Sequence, residues 1–387
     1  MWKSLPFFII AHATHHILTA LPQPLLPYIQ SEFGLNNAGA ALVTSSFSLS
    51  SAAAQLPAGL AADRLGPTIL ITIGTLGVAI GGLAVGLSHT YVMLIASMVF
   101  MGLMAGGYHP AATPLISASV PANQRGRALG IHLIGGNSSF FLAPIVAAAI
   151  AAVWGWRGSF LAMAIPTAIL GFVFYLYLSR SGGKTHVESA KRLQVDEKPP
   201  QAGYKRRLIA FLILMVVGGG AGATVNSFLT LYMVNQLEIP KGVAAGLLSI
   251  IYSSGLWAGP VGGYISDKIG SVKVIIVTGI LGGLIIFALN AVTFGFWLFA
   301  VLWVMGLISA IRFPVTEVFI MNQTRAKNRS LIYGIYYSTM QYTGAIFAPI
   351  MGIFIDRFGY HTMFTFAAIV TTTVAVITAA FIWDAKD

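Results

Sequence analysis

Long apolar runs alternate with short polar turns along nearly the whole chain. Twelve runs stand out: near 5–30, 38–61, 69–88, 91–118, 128–153 and 158–179, then near 208–235, 243–265, 273–292, 295–322, 331–355 and 361–383. A helix needs roughly 20 residues to cross about 30 Å of hydrocarbon, and each run approaches or exceeds that length. The pattern predicts an all-α polytopic membrane protein of twelve transmembrane helices, helix 1 to helix 12 in chain order. The run that begins at Leu5 has only Lys3 before it, outlasts the apolar core of a signal peptide and lacks a small-residue cleavage site. It is read as a retained helix.

The polar punctuation repeats at an offset of 204 residues. Gly59 and Asp63-Arg64-Leu65-Gly66 return as Gly263 and Asp267-Lys268-Ile269-Gly270. Gly102, Pro110, Arg125 and Gly130 return as Gly306, Pro314, Arg329 and Gly334, and Gly155-Trp156-Arg157 as Gly359-Tyr360-His361. A single offset through loops and helices alike marks a duplicated unit, a build shared by many secondary transporters. The expected architecture is two six-helix bundles related by a pseudo-twofold repeat, residues 1–180 and 207–387. Between them, 181–206 is the one long polar stretch, punctuated by Ser181-Gly182-Gly183 and Pro199-Pro200, and reads as a cytoplasmic linker.

Composition agrees. The chain is 57% hydrophobic and 9% charged, with mean hydropathy +0.81. A soluble domain carries about 25% charged residues, so no soluble surface could be built from this set. The absence of cysteine rules out a disulfide framework and a thiol nucleophile. A net charge of +11 could point to nucleic acid, but its placement argues otherwise. Apart from Arg157, Lys241 and Arg357 on one side and Arg312 within helix 10, every Lys and Arg falls on the other side or in the linker. That bias predicts cytoplasmic termini in a plasma (cytoplasmic) membrane, with anionic lipid headgroups as partners rather than nucleic acid.

These features resemble the major facilitator superfamily over essentially the whole chain. Its Gly-x-x-x-Asp-Arg-x-Gly signature stands as Gly59–Gly66 after helix 2 and, with Lys for Arg, as Gly263–Gly270 after helix 8; a partial echo is Gly352–Gly359. The resemblance implies a cytoplasmic gating charge network, here Asp63, Arg64, Asp267, Lys268, Arg125 and Arg329. Gly106-Gly107-Tyr108-His109-Pro110 and Arg125–Gly130 look like elements of fosmidomycin-resistance-type exporters. Drug–proton antiporters carry Gly-Pro-x-x-Gly-Gly in helix 5. Ala143-Pro144-Ile145-Val146-Ala147-Ala148 keeps the small residues and loses the glycines, which counts against that assignment.

The resemblance also implies that helices 1, 4, 7 and 10 line a central cavity, so their polar residues are the candidates. His12, His16, Thr19 and Gln23 in helix 1 follow helical spacing and predict one stripe, with His15 at its edge. A lone histidine most often just bonds a neighbouring carbonyl; three near mid-span favour a cavity role. Helix 4 contributes Tyr108 and His109 ahead of Pro110, whose repeat partner Pro314 predicts an equivalent kink in helix 10. Arg312 stays charged and has no acid within four residues, so an anionic substrate is a fitting partner. Pairing with Glu317, five residues on, has poor helical geometry. Glu317 is read either as a partner for Lys268, Lys273, Arg325 or Arg329, or as a proton-coupling carboxylate. Helix 7 offers Asn226 and Gly218-Gly219-Gly220, which predicts close helix packing or a bending point; His132, Asn137, Tyr336, Tyr337 and Gln341 rank lower.

The reading is a monomeric secondary active transporter of a small organic, anionic solute, working by alternating access. Substrate binding falls to Arg312, Tyr108, His109, His16, Gln23 and Asn226, and proton coupling to His12, His16, His109 or Glu317. A histidine titrates near pH ~6.5, which suits proton exchange. No Gly-x-x-x-x-Gly-Lys-Ser/Thr loop occurs, so ATP is not the direct energy source. Export is preferred on the resemblance, with import or facilitated diffusion of a small carboxylate as alternatives. No cofactor, catalytic residue or metal is expected. His12 and His16 have metal-like spacing, but no His-Glu-x-x-His pattern accompanies them, which counts against a membrane enzyme. A transport-dead sensor would need a large output domain, and none is evident.

Overall fold

The computed structural model describes residues 5–118, 120, 124–180, 203–324 and 329–384; within its helices the side chains at 56, 60, 62, 63, 114, 117, 118, 125–127, 321, 329–331, 333, 334 and 337 are left undescribed. The described residues form helices and turns only. In chain order the spans are α1 (Leu5–Phe33), α2 (Asn37–Leu65), α3 (Pro67–Gly86), α4 (91–118), α5 (125–154), α6 (156–180), α7 (Tyr204–Asn235), α8 (241–269), α9 (Ser271–Ala288), α10 (Phe296–Asn322), α11 (329–358) and α12 (360–382). These are the twelve expected helices, with ends shifted by a few residues. Most of the linker, 181–202, lies outside the described residues, and its last residues, from Tyr204, already belong to α7.

The chain divides into two compact units: residues 1–35, 42–193 and 240–249, and residues 36–41, 194–239 and 250–387. In the first, Phe8, Ile71, Tyr108, Ala112 and Phe174 sit in a buried cluster drawn from α1, α3, α4 and α6. In the second, Phe211, Ile275, Phe319 and Tyr336 do the same for α7, α9, α10 and α11. Both units also carry exposed large apolar side chains, such as Ile80, Val153, Leu284 and Ile353, as a lipid-facing surface requires. Trp154, Phe296 and Trp297 are exposed at helix ends, where aromatic rings sit at a membrane interface.

The repeat is visible in the backbone. Gly66 and Gly270 start α3 and α9 at φ 83° and 93°; Gly155 and Gly359 separate α5 from α6 and α11 from α12 at φ 67° and 81°. Gly34 has φ 61°, and its counterpart 204 residues on is Glu238, the one non-glycine with positive φ among the described residues, at 54°. The same left-handed turn is thus made with a glycine in one copy and without one in the other. In the second unit the partial echo in α11 also finds a use. Asp356 accepts hydrogen bonds from Asn37 N (2.9 Å), Asn37 Nδ2 (2.7 Å) and Ala38 N (3.3 Å), capping the start of a helix.

Two expectations need correction. The helix 1 stripe does not run on to Gln23: α1 breaks between Leu5–Thr19 and Pro22–Phe33. Pro22 and Pro24 lack the N–H groups that would bond Leu18 and Ala20, and Leu21 N turns to Leu18 O at 3.4 Å instead. Nor are the two proline kinks alike. α4 is interrupted at Gly106-Gly107, whereas α10 runs unbroken from Phe296 to Asn322 through Pro314. The counterparts of the two glycines are Ala310 and Ile311, better helix formers. The glycine triplet of α7 falls where the helix is irregular and closely packed: Leu214–Gly219 winds as a π-helix, and a β-carbon on Gly220 would lie 2.5 Å from Thr343 Cγ2.

Candidate functional site

Two polar clusters lie at membrane depth, one in each unit. In the first, α1 presents His12, His15 and His16, the resumption of α4 after its break presents Tyr108 and His109, and α5 presents His132. Glycine lets α5 come close enough: a β-carbon on Gly136 would lie 2.7 Å from the His12 ring, and one on Gly135 would collide with the Ile9 carbonyl oxygen. Ser139 ties the same two helices by donating to Ala13 O at 2.7 Å.

Ring stacking organises the cluster. His12 stacks on His132 with centroids 4.1 Å apart and on Tyr108 at 5.5 Å; His15 stacks on the Tyr108 ring at 4.7 Å. His12 Nδ1 lies 3.0 Å from the carbonyl oxygen of His132. A carbonyl only accepts, so Nδ1 carries the proton and Nε2 keeps a lone pair. That Nε2 is buried and has no hydrogen-bond partner among the described residues. His16 Nε2 and His109 Nε2 face each other at 3.2 Å. The ligand nitrogens of His12, His16 and His109 all lie within 4.8 Å of one another.

In the second unit the cluster centres on Arg312 in α10. Its Nη2 lies 3.7 Å from Met215 Sδ, and its Nε is buried without a partner among the described residues. Tyr336 is its electrostatic neighbour. Arg312 forms no ion pair with Glu317, so the intrahelical pairing weighed against substrate contact is not made; Glu317 also bonds neither Lys268 nor Lys273. A charged guanidinium at this depth calls for water or an anion.

The repeat links the two clusters. Arg312 is the counterpart of Tyr108, and Tyr336 the counterpart of His132. The offset applied to His132 would have raised both residues above the low rank that type and position gave them. Gln23, on the second piece of α1, and Asn226, in α7 beyond the π-helical turn, share no described contact with the histidines or with Arg312. Of the gating candidates, Arg64, Asp267 and Lys268 are exposed at helix ends and make no ion pair among the described residues; the Lys268 ammonium lies 4.5 Å from the Tyr264 ring. The side chains of Asp63, Arg125 and Arg329 lie outside the described residues, as do Arg325 and the side chain of Tyr337.

Twelve membrane-length helices in two repeated sets, with ionisable clusters at mid-depth, define a polytopic membrane carrier. The chain belongs to the Major Facilitator Superfamily, whose sequence profile it matches over residues 8–259 and 210–387. It is 27% identical over 366 residues to the multidrug resistance protein MdtG of Proteus mirabilis (strain HI4320), covering 91% of this chain and 89% of that protein. To MdtG of Salmonella arizonae it is 25% identical over 377 residues, covering 94% and 91%. Two solved structures share the fold at 15% identity. A POT family transporter in complex with 5-aminolevulinic acid matches with TM-score 0.81, covering 98% of this chain and 96% of that one. A bacterial homologue of the human lysosomal transporter Spinster, inward-facing and occupied, matches with TM-score 0.78 and the same coverage. The protein is an integral multi-pass secondary transporter of small molecules, not an enzyme.

Proposed function

We propose that this transporter moves small organic anions by alternating access, with Arg312 as the anchor. The observation that carries the reading is the half-buried Arg312 guanidinium, which has no carboxylate partner among the described residues and keeps a buried, unpartnered Nε. A carboxylate or phosphonate supplies the charge and the two acceptors that the planar fork fits. No nucleotide-binding loop occurs in the sequence, which leaves an ion or substrate gradient to drive the cycle, and a proton gradient is the one assigned here. Export is the direction assigned, supported by the multidrug resistance relatives. The protein acts as a monomer in the cytoplasmic membrane with both termini in the cytoplasm, a placement supported by the one-sided Lys and Arg distribution.

The test is a thermal-shift and calorimetry screen of small carboxylates, phosphonates and lipophilic cations on the purified chain. Binding of anions, lost in Arg312→Gln, supports the reading; preference for lipophilic cations with no effect of the substitution refutes it. Flux of the identified anion with and without an imposed pH gradient, in each direction, then tests coupling and export.

A further inference from the structure

The histidine cluster has a chemistry that the transport reading leaves unused. Five of the chain's eight histidines, His12, His15, His16, His109 and His132, gather in one cluster, and three of them bring ligand nitrogens within 4.8 Å of one another. From this we infer that His12, His16 and His109 bind one divalent late first-row transition-metal ion, of the zinc, cobalt or nickel kind, through neutral imidazoles.

Four observations support this. His16 Nε2 and His109 Nε2 are 3.2 Å apart, close to the roughly 3.3–3.4 Å edge of a tetrahedron with metal–nitrogen bonds of about 2.0–2.1 Å. His12 holds the tautomer a ligand needs: Nδ1 is engaged by the His132 carbonyl, and Nε2 is left with a buried, unpartnered lone pair. A ring N–H bonded to a backbone carbonyl is the usual outer support of a metal-bound histidine. The His12 ring is braced by stacking on Tyr108 and His132, and His16 and His109 pack edge-on or tilted against it and each other. Finally, the groups that face the cluster from α1, α4 and α5 are His15, Tyr108 and His132, with no carboxylate among the described residues. An all-imidazole set suits zinc, cobalt, nickel or copper and disfavours magnesium and calcium.

Three ligands leave a fourth position open to water or an exogenous anion, the arrangement of an exchangeable rather than a structural site. A metal ion and a proton would compete for the same lone pairs. The inference goes beyond the anion-transport reading and stands independently of it, because binding is measured without transport.

The full chain, purified without a polyhistidine tag and stripped with chelator, is titrated with Co2+ and followed by visible absorption. Expected are intense four- or five-coordinate bands saturating at one Co2+ per chain and displaced by Zn2+. His12→Gln, His16→Gln and His109→Gln should each weaken binding about tenfold or more, and His361→Gln, outside the cluster, should leave it unchanged. A spectrum that stays that of the hydrated ion, or variants that bind as wild type does, would overturn the inference. If the substitutions prevent folding, X-ray absorption of the wild-type cobalt complex decides: three imidazole ligands uphold the assignment, and fewer overturn it.

Discussion

Gly306 in α10 packs so closely on Ile251 in α8 that a β-carbon would lie 2.7 Å from the Ile251 carbonyl carbon and overlap its oxygen. Their counterparts 204 residues earlier, Gly102 and Phe47, make the same contact between α4 and α2. The crossing is thus a property of the duplicated unit. Gly306→Ala and Gly102→Ala should each lower stability by about 1–3 kcal/mol through overpacking. Gly282, in α9, has nothing within 4 Å of an added β-carbon. Gly282→Ala should be neutral or stabilising by up to about 1 kcal/mol. Thermal denaturation of the purified variants side by side checks both, and equal effects at all three glycines would count against the close crossing.

Arg312→Gln should weaken anion binding by about 1.5–3 kcal/mol for each charge-assisted hydrogen bond lost. Arg312→Lys keeps the charge but not the fork, so it should restore only part of the affinity. Calorimetry with the anion found by screening reads both. Wild-type affinity in both variants would remove Arg312 from the site.

Asp63→Asn and Asp267→Asn, the two acids of the repeated signature, should slow flux while leaving ligand affinity unchanged, since they act on the gate and not on the site. Flux and equilibrium binding measured on one preparation separate these effects. Undiminished flux in both variants would remove the acids from gating.

Asp384, just past the end of α12, gives a pH-dependent test. Desolvation is the largest single influence and works against its charge, but the hydrogen bond from Arg206 at 2.5 Å and the charges of Arg206 and Arg207 together outweigh it. The carboxyl is therefore held below the usual carboxylate range. A depressed folded-state pKa means the ionised pair stabilises the protein above the unfolded-state pKa, and that support fades as pH falls through the folded-state value. Asp384→Asn should melt slightly earlier than wild type at neutral pH, and the gap should close on acidification below about pH 4. A gap that persists at low pH would contradict the pairing.

Much of this architecture was legible because burial in lipid leaves a one-dimensional trace. Apolar runs of membrane length marked every span, and the offset relating Asp63 to Asp267 and Gly155 to Gly359 marked the duplication. What spacing could not convey was local winding. Prolines and glycines mark where a helix can break, but spacing alone does not tell that Ala20-Leu21 and Gly106-Gly107 interrupt α1 and α4 while α10 runs on through Pro314, or that Leu214–Gly219 winds as a π-helix. Nor could spacing along one helix show that His12 in α1 meets His132 in α5, a contact between residues 120 apart made possible by Gly135 and Gly136.

The most direct test of the transport account is counterflow in proteoliposomes. The purified chain is reconstituted with the screened anion trapped inside, and entry of the labelled anion is followed without any imposed gradient. The account predicts saturable, transient accumulation that is absent from empty vesicles and abolished by Arg312→Gln. Accumulation that survives Arg312→Gln undiminished, or none for any anion that binds, would contradict it.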